Sequence, residues 1–527
     1  MGHRVVVLSG RIASGKSTLA QGLQLAAHAE LFRTQDLLRE SLGADASREA
    51  MQREGARLDA ESDGQWVAAR LASRLDAAAD GLFVVDAVRQ PSQVEAVRSR
   101  FGGAVTHVHL LAPLSELEGR FALRPAHAGE ATCYGAAAAD PIEAKVDSLA
   151  DVADIVIDTA RSTDQDVLTR TLARLDLHAR VQALVDVLVG GELGSEGKGH
   201  ISAHLAPEYD LLVRGGGPNA GHTVMSGGDR ATFHHIPSGA RANPEAHLLL
   251  GPGAVVRVPA LLAEIERFGI DASRLSIDPQ VMTIDDDDIE AETLGLRARI
   301  GSTAQGVGYA TARRVRRDES VLLASSYLSL APFIRPARDI LGAAFRQGRR
   351  ILLEGTQGSG LSLFHGPYPY VTSRDTTAAG CIAEAGIAPS RVRRIIMVCR
   401  TYPIRVAGAS GPMSREITWT TVSDRSGIPL AELEAAEKTS TTKRDRRVGE
   451  FDWAMFQRSV ELNGPTDIAL TFADYLSIAN RDARRFEQLT DETLGLVEEL
   501  EVVARAPVSL ISTRFEEFRS IIDRRRW

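Results

Sequence analysis

The stretch GGELGSEGKGHI, residues 190–201, decides how this chain is read. It is rich in glycine, carries Lys198, and follows directly on the apolar run VQALVDVLV (181–189), which predicts a buried strand. A strand running into a glycine loop with a lysine is how a phosphate site opens, because glycines let backbone N–H groups close around phosphate oxygens. Yet Gly199 follows the lysine where the complete phosphate-loop motif has Ser or Thr. The complete motif lies near the start of the chain. There VVVLSGRIASGKSTLAQGL satisfies G-x-x-x-x-G-K-[ST] with Gly10, Gly15, Lys16 and Ser17, followed by Thr18. Two such loops imply an α/β protein with two P-loop-type domains, each a mainly parallel sheet flanked by helices. The expected division is 1–160, a polar helical connector over 161–180, and a second domain over 181–527.

The composition agrees with this. A chain of 527 residues is too long for one ordinary domain. Its 44% hydrophobic and 25% charged residues are the balance of a globular protein. A net charge of −8 argues against nucleic acid as a partner. Cys133, Cys381 and Cys399 are too scattered for a disulfide framework or a cysteine zinc site. The opening MGHRVVVLSG lacks the long apolar core of a secretory signal, and no apolar run is long enough to span a bilayer. The expectation is a cytoplasmic protein with no membrane partner.

In the first domain Lys16 would place a charge near the β and γ phosphates, and Ser17 would offer a hydroxyl to Mg²⁺. The run GLFVVD predicts a strand ending in Asp86, followed by Arg89 and a helix; AVTHVHLLAP and ADIVIDT predict two more strands. Ligands bind at the carboxyl ends of such strands, where the loop and Asp86 both fall. Asp36, in FRTQDLLRE, is placed like an acceptor-site residue. Arg120 and Arg124, in ELEGRFALRP, suit a phosphate clamp or an adenine stack, and equally a solvated helix face. GRIASGKST with VVDAVRQPSQVEAVR resembles the nucleoside- and deoxynucleoside-monophosphate kinases and the dephospho-coenzyme A kinases over about the first 160 residues. The resemblance implies phosphate transfer from ATP to a nucleotide-like acceptor.

The second domain holds further loops. RGGGPNAGHT (214–223) brings a carboxamide, Asn219, and an imidazole, His222, which exchanges protons near neutral pH. GSTAQGVG (301–308) is another phosphate-friendly loop, and LLEGTQGSGLSLFHGPYPYVTSRDTT (352–377) ends a strand in a Gly-Gln-Gly turn. TSTTKRDRRVGEFD (439–452) sets Arg444, Arg446 and Arg447 beside Thr441 and Thr442, a grouping suited to carboxylate or phosphate.

This ordered set of loops resembles the adenylosuccinate synthetases, over residues 181–527. The resemblance implies a homodimer that uses a nucleoside triphosphate and Mg²⁺. The purine 6-oxygen of IMP is phosphorylated, and the amine of L-aspartate then displaces that phosphate. Transferred position by position, it implies that His222 is the acid at the 6-oxygen, with Ser195, Lys198 and Gln357 also in the catalytic set. Gly194, Glu196, Gly197, Lys198, Gly199, Asp474, Ser512 and Arg514 would meet the donor nucleotide. Asn219, Thr303, Gln357, Thr372 and the partner subunit's copy of Arg317 would meet the acceptor. Thr441, Thr442, Arg444 and Arg446 would bind aspartate, and Gly221, with position 195, would bind the metal.

Two departures matter. The usual family loop reads G-D-E-G-K-G, its aspartate being the base at purine N1; here that position is Ser195. A serine hydroxyl is not a general base unaided. Serine here resembles the phage-type homologues that make 2-aminoadenylosuccinate from dGMP, which implies a (d)GMP acceptor. An ordinary IMP enzyme with a substitute base, or a non-catalytic purine-nucleotide sensor acting on the kinase, are the alternatives. The donor-base motif T-K-x-D reads TFAD here, with Phe472 in the lysine's place, so ATP and GTP are both open as donors.

Overall fold

The computed structural model describes residues 3–43, 48–76, 78, 80–124, 133–139, 143, 145–177, 181–226, 229–439, 443–515 and 520–527. The chain divides into two compact units, 1–180 and 181–527.

The first unit is built on five strands, Arg4–Gly10, Glu30–Arg33, Leu82–Asp86, Val105–Leu111 and Ile155–Asp158, in the spatial order 2-3-1-4-5 and parallel throughout. The run VVVL is apolar at every position because this strand is covered on both faces. Val5 and Val7 enter one buried cluster while Val6 and Leu8 enter another, as the two-residue side-chain period requires.

The segment read as a connector is part of this unit. It forms the helix Asp164–Arg174, and Val167 and Leu175 join the cluster around Leu19 and Leu23. The reason is visible in its pattern: Val167, Leu168, Thr171, Leu172 and Leu175 form one stripe at helical spacing. Leu168 packs over Gly22, where an added Cβ would meet it at 3.2 Å. Thr163 opens the helix with a capping box, accepting from Asp166 N while Asp166 accepts from Thr163 N.

The second unit carries a nine-stranded sheet. From one edge the strands are Leu275–Ile277, His247–Leu250, Leu211–Arg214, Ile351–Glu354, Val185–Gly190, Val392–Arg400, Asp467–Thr471, Val508–Ser512 and Ile521–Asp523. All neighbours are parallel except the last pair. The expected strand at 181–189 begins only at Val185. Buried clusters cover both faces, one holding Leu188, Leu212 and Leu352, the other Val187, Val213 and Leu353. Parallel pairing brings Gly190, Arg214, Glu354, Arg400 and Thr471 to the same end of the sheet, where ligands gather in open α/β folds.

Because the capping box belongs to a helix that completes the first unit, Thr163→Ala should cost about 1 kcal/mol there. Hydrogen exchange should show lost protection in peptides of 164–174 and none in the sheet of the second unit. Unchanged exchange in 164–174 would contradict the role given to this cap.

Candidate active site

In the first unit Gly10 and Gly15 take positive φ, 140° and 96°. A Cβ on Gly10 would lie 2.2 Å from the Leu110 carbonyl oxygen, so only glycine fits. Gly15 caps the helix Lys16–Ala27, and Thr18 is exposed in its first turn. Lys16 Nζ donates to the Gly10 and Arg11 carbonyls, both at 2.8 Å. Burial pushes its pKa down to about 8, against the pull of Asp86. Ser17 Oγ lies 3.4 Å from Asp86 Oδ2, and Asp86 Oδ1 is buried without a partner. A hydroxyl beside a carboxylate with an unused oxygen is a hard-oxygen donor pair that fits Mg²⁺. Such an ion would neutralise phosphate charge there.

Arg89 pairs with buried Glu143 at 2.7 Å. Asp36 is exposed and 3.4 Å from Arg39. Arg120 is already engaged, donating to Thr159 Oγ1 at 2.9 Å and to the Thr159 carbonyl at 2.8 Å, so its guanidinium is fixed beside the last strand.

In the second unit the loops surround a cavity of about 560 Å³. Residues 194–199, Asn219, Gly221, His222, Thr303, Gln357, Thr372, Arg446, Asp474 and Arg514 all line it. The loop after Val185–Gly190 turns through Gly194 (φ 89°), Ser195 (φ 57°) and Gly197 (φ 85°), and Gly197 caps the helix Lys198–Leu205. Gly199 has a steric cause. A Cβ there would lie 2.8 Å from His222 Cβ, so the Ser or Thr of the complete phosphate motif is excluded.

Lys198 Nζ is bound by Glu196 at 2.5 Å, and both are buried. Glu196 Oε1 also accepts from Gly194 N at 2.8 Å. Glu196 therefore holds the loop's shape from beneath. Thr303 donates to Asn219 Oδ1 at 3.0 Å, which joins two of the expected acceptor loops. Gln357 sits at φ 55° with its Oε1 buried and unpartnered.

Two acids that sequence reasoning missed organise the site. Glu354 ends its strand at the level of Arg214 on the neighbouring one. It accepts from Ser238 N at 2.8 Å, Ser202 Oγ at 3.1 Å and Arg214 at 3.3 Å, and it binds Ser238 Oγ and His222 Nδ1. Burial opposes its ionisation, but Arg214 and His222 hold its pKa down to about 2. An ionised Glu354 only accepts, so His222 carries its proton on Nδ1. Burial, followed by Arg214, lowers His222 to about 4, against the pull of Glu354.

The second acid, Glu437, accepts from Arg400 at 2.7 Å, Arg446 at 2.9 Å and Tyr475 Oη at 2.7 Å. The signal for Glu354 and the two arginines was a charge closing an apolar strand: Arg214 after LLV, Glu354 after ILL, Arg400 after IIMVC. Glu437, just past the helix Leu430–Ala436, carries no such signal.

Arg446 also donates to Ser195 Oγ at 3.3 Å. At Ser195 the protein thus offers a hydroxyl already facing a guanidinium. That set does not fit a divalent cation held by Ser195 and Gly221. Arg444 is engaged with the Gly301 carbonyl at 3.3 Å and with that of Ala407. Thr441 and Thr442 lie outside the described residues. Arg317 is exposed at the end of the helix Val307–Arg316, away from the cavity lining. Ser512 is buried and donates to the Arg514 carbonyl at 3.1 Å rather than lining the cavity.

At the far end, Phe472 lies over Arg400, whose guanidinium carbon is 4.1 Å from the ring centroid. The Phe515 ring faces Phe472 at 6.1 Å and 13°. Asp474 accepts from Arg481 Nε at 3.1 Å, its Oδ1 is buried without a partner, and burial raises its pKa to about 6.

His222 and His200, both buried and both lowered to about 4, give a pH dependence with a definite sign. The unfolded chain takes up these protons near pH 6.5 and the native state refuses them until about 4. Stability is therefore full above pH 6.5 and falls between 6.5 and 4. His222→Asn should remove its share of that fall, roughly 3 kcal/mol, and leave that of His200. Urea unfolding across this range tests it, and an unchanged slope would contradict a neutral buried His222.

The comparisons agree with this arrangement. The family model for adenylosuccinate synthetase matches residues 187–324 and 323–481. An adenylosuccinate synthetase of Pyrococcus horikoshii is 35% identical over 347 residues, covering 64% of this chain and 98% of that protein. One from Archaeoglobus fulgidus is 36% identical over 348 residues, with the same coverages. The fully ligated adenylosuccinate synthetase of Plasmodium falciparum shares the fold, with a TM-score of 0.59 at 20% identity over 65% of this chain and all of that one. A succinoaminodeoxyadenylate synthetase of cyanophage S-2L, solved with dGMP and dATP as energy donor, gives 0.55 at 27% identity, over 65% of this chain and 96% of that one. Through its second unit, the chain belongs to the adenylosuccinate synthetase family.

Proposed function

We propose that the second unit joins L-aspartate to C6 of a 6-oxopurine nucleotide, favouring (d)GMP and yielding 2-aminoadenylosuccinate, and that the first unit is a nucleotide kinase. The observation that carries the acceptor preference is the environment of Ser195. Its hydroxyl is exposed in the cavity and accepts from Arg446, which leaves a further lone pair. That lone pair can receive the 2-amino group of a guanine, which the family's longer carboxylate at this position would crowd. A site that pairs a particular polar group discriminates strongly between substrates with and without it. The cyanophage protein of similar fold, solved with dGMP, supports this reading.

The chemistry is two displacements. The purine 6-oxygen attacks the γ-phosphorus of a nucleoside triphosphate and the diphosphate leaves. The amine of aspartate then adds to C6, and phosphate departs with the oxygen. His222, with Nδ1–H held by Glu354, turns Nε2 to the 6-oxygen. An incoming phosphoryl anion favours its imidazolium form, which donates there and assists departure. Helix Lys198–Leu205 points its N-terminus at the donor phosphates. Phe472 and Phe515 face the donor base, and the free Oδ1 of Asp474 accepts from its amino edge. One free oxygen serves either ATP or GTP.

Without a carboxylate at 195, the N1 proton leaves to water or to the transferring phosphate. This costs rate, since a general base contributes roughly 10²–10⁴-fold. Ser195→Asp should depress turnover of dGMP and GMP more than that of IMP, measured as aspartate-dependent phosphate release with each donor. If aspartate at 195 speeds every acceptor alike and the wild type prefers IMP, the acceptor assignment fails.

In the first unit, Lys16→Ala should abolish phosphate transfer from ATP to nucleotide acceptors while aspartate ligation continues. Mass spectrometry of the products reads both activities at once. Loss of both in a folded variant would refute separate sites.

A further inference from the structure

Arg405 is a buried cation without a counter-charge. It is 4% exposed, it lines the cavity, and among the described residues no carboxylate lies within ion-pair distance of it. Its Nε and Nη2 are buried and have no partner. Only Nη1 is engaged, donating to the Ser410 carbonyl. Register adds to the imbalance. The strand Ile404–Val406 pairs antiparallel with Arg446–Gly449, so that Arg405 stands directly opposite Arg447. Like charges facing each other across a ladder repel, and a desolvated charge without a partner is costly. Burial and Arg447 accordingly lower the Arg405 pKa to about 10.

Besides Glu416, 3.1 Å from Arg447, and the Gly301 carbonyl, 3.3 Å from Arg444, what meets these arginines is one short loop, residues 407–411. Arg444 donates to the Ala407 carbonyl, Arg447 to those of Gly408 at 3.3 Å and Gly411 at 2.7 Å, and Arg405 to that of Ser410. Neutral carbonyl oxygens take the places where anionic oxygens would bind more strongly.

We propose that Arg405 is a ligand for an oxyanion of the substrates, and that in the free protein the Ser410 carbonyl occupies the position this oxyanion takes. The proposal rests on the ligase reading, which supplies two sources of such an oxyanion, the carboxylates of aspartate and the phosphate of the acceptor nucleotide. A planar guanidinium with two unused edges suits either.

Steady-state kinetics of Arg405→Met and Arg405→Lys, with aspartate and nucleotide varied separately, identify the source. One KM should rise at least about ten-fold in Arg405→Met, with kcat changed much less, as expected for lost binding of a charged group. Arg405→Lys should recover part of the loss. Thermal unfolding supplies the reading that a purely structural arginine would not give. Ligand-free Arg405→Met should melt no lower than the wild type, because an uncompensated buried charge has been removed. L-Aspartate or inorganic phosphate, added singly, should raise the wild-type Tm and not that of Arg405→Met.

Both KM values within two-fold of wild type in a folded variant would overturn the proposal. So would a lowered Tm with unchanged KM values. Should Arg405→Met not fold, Gly411→Ala replaces it, since the added Cβ would lie 2.3 Å from Arg405 Nη1. It should raise the same KM that Arg405→Lys raises, and no change in either variant would equally overturn the proposal. If the wild type itself shows no aspartate-dependent turnover, the ligase reading has failed. The Tm shifts then decide Arg405 alone.

Discussion

The second unit is organised around one buried carboxylate. Glu354 sits at the end of a central strand where isolation from water would make its charge very costly, and five donors surround it. These donors come from four residues on four different stretches of chain, Ser238 giving both its N–H and its hydroxyl. Arg214 ends the adjacent strand, Ser202 lies on the helix after the glycine loop, Ser238 follows the hairpin His222–Ser226 and Asp229–Phe233, and His222 begins that hairpin. Satisfying one charge therefore fixes the helix, the hairpin and the imidazole together. Glu437 does the same for Arg400 and Arg446, and through them for Phe472 and Ser195. Networks of this kind give little net stability, because desolvation offsets attraction. They leave few alternative arrangements.

Much of this was legible in the sequence, for identifiable reasons. The two glycine loops and the apolar strands before them announced parallel sheets with ligand sites at their carboxyl ends, because glycine spacing and strand burial are local properties. The loop residues Ser195, Asn219, His222, Thr303 and Gln357 were found for the same reason, and they meet in one cavity. Glu354, Glu437 and Arg405 were not found. Glu354 closes an apolar strand, and such a charge reads as the strand's end until the neighbouring strand is in register, which is a tertiary fact. Glu437 follows the helix Leu430–Ala436 and Arg405 is the middle of the short strand Ile404–Val406, and their partners are likewise distant in sequence or set by strand pairing. The segment 161–180 was read as a connector because its polar residues outnumber its stripe of apolar ones, although the stripe is what docks it.

The two glycine loops also differ in how their lysines are held. Lys16 rests on two neutral backbone carbonyls. Lys198 is clamped by a buried glutamate. On the proposed reading, the first lysine exchanges those carbonyls for a phosphate, while the second holds its loop and leaves backbone N–H groups and the helix N-terminus for the anion. One motif vocabulary thus serves two mechanical purposes in a single chain.

The contact between Gly199 and His222 has a consequence for how this loop tolerates change. A serine or threonine at 199 would give it the complete phosphate-loop pattern, but its side chain has nowhere to go while His222 Cβ stands 2.8 Å from the place it needs. Fitting it would require the hairpin to retreat, and the hairpin is tied through His222 to Glu354. The two positions are thus interlocked: no single substitution at 199 installs the hydroxyl, and a coordinated change at the hairpin is needed with it.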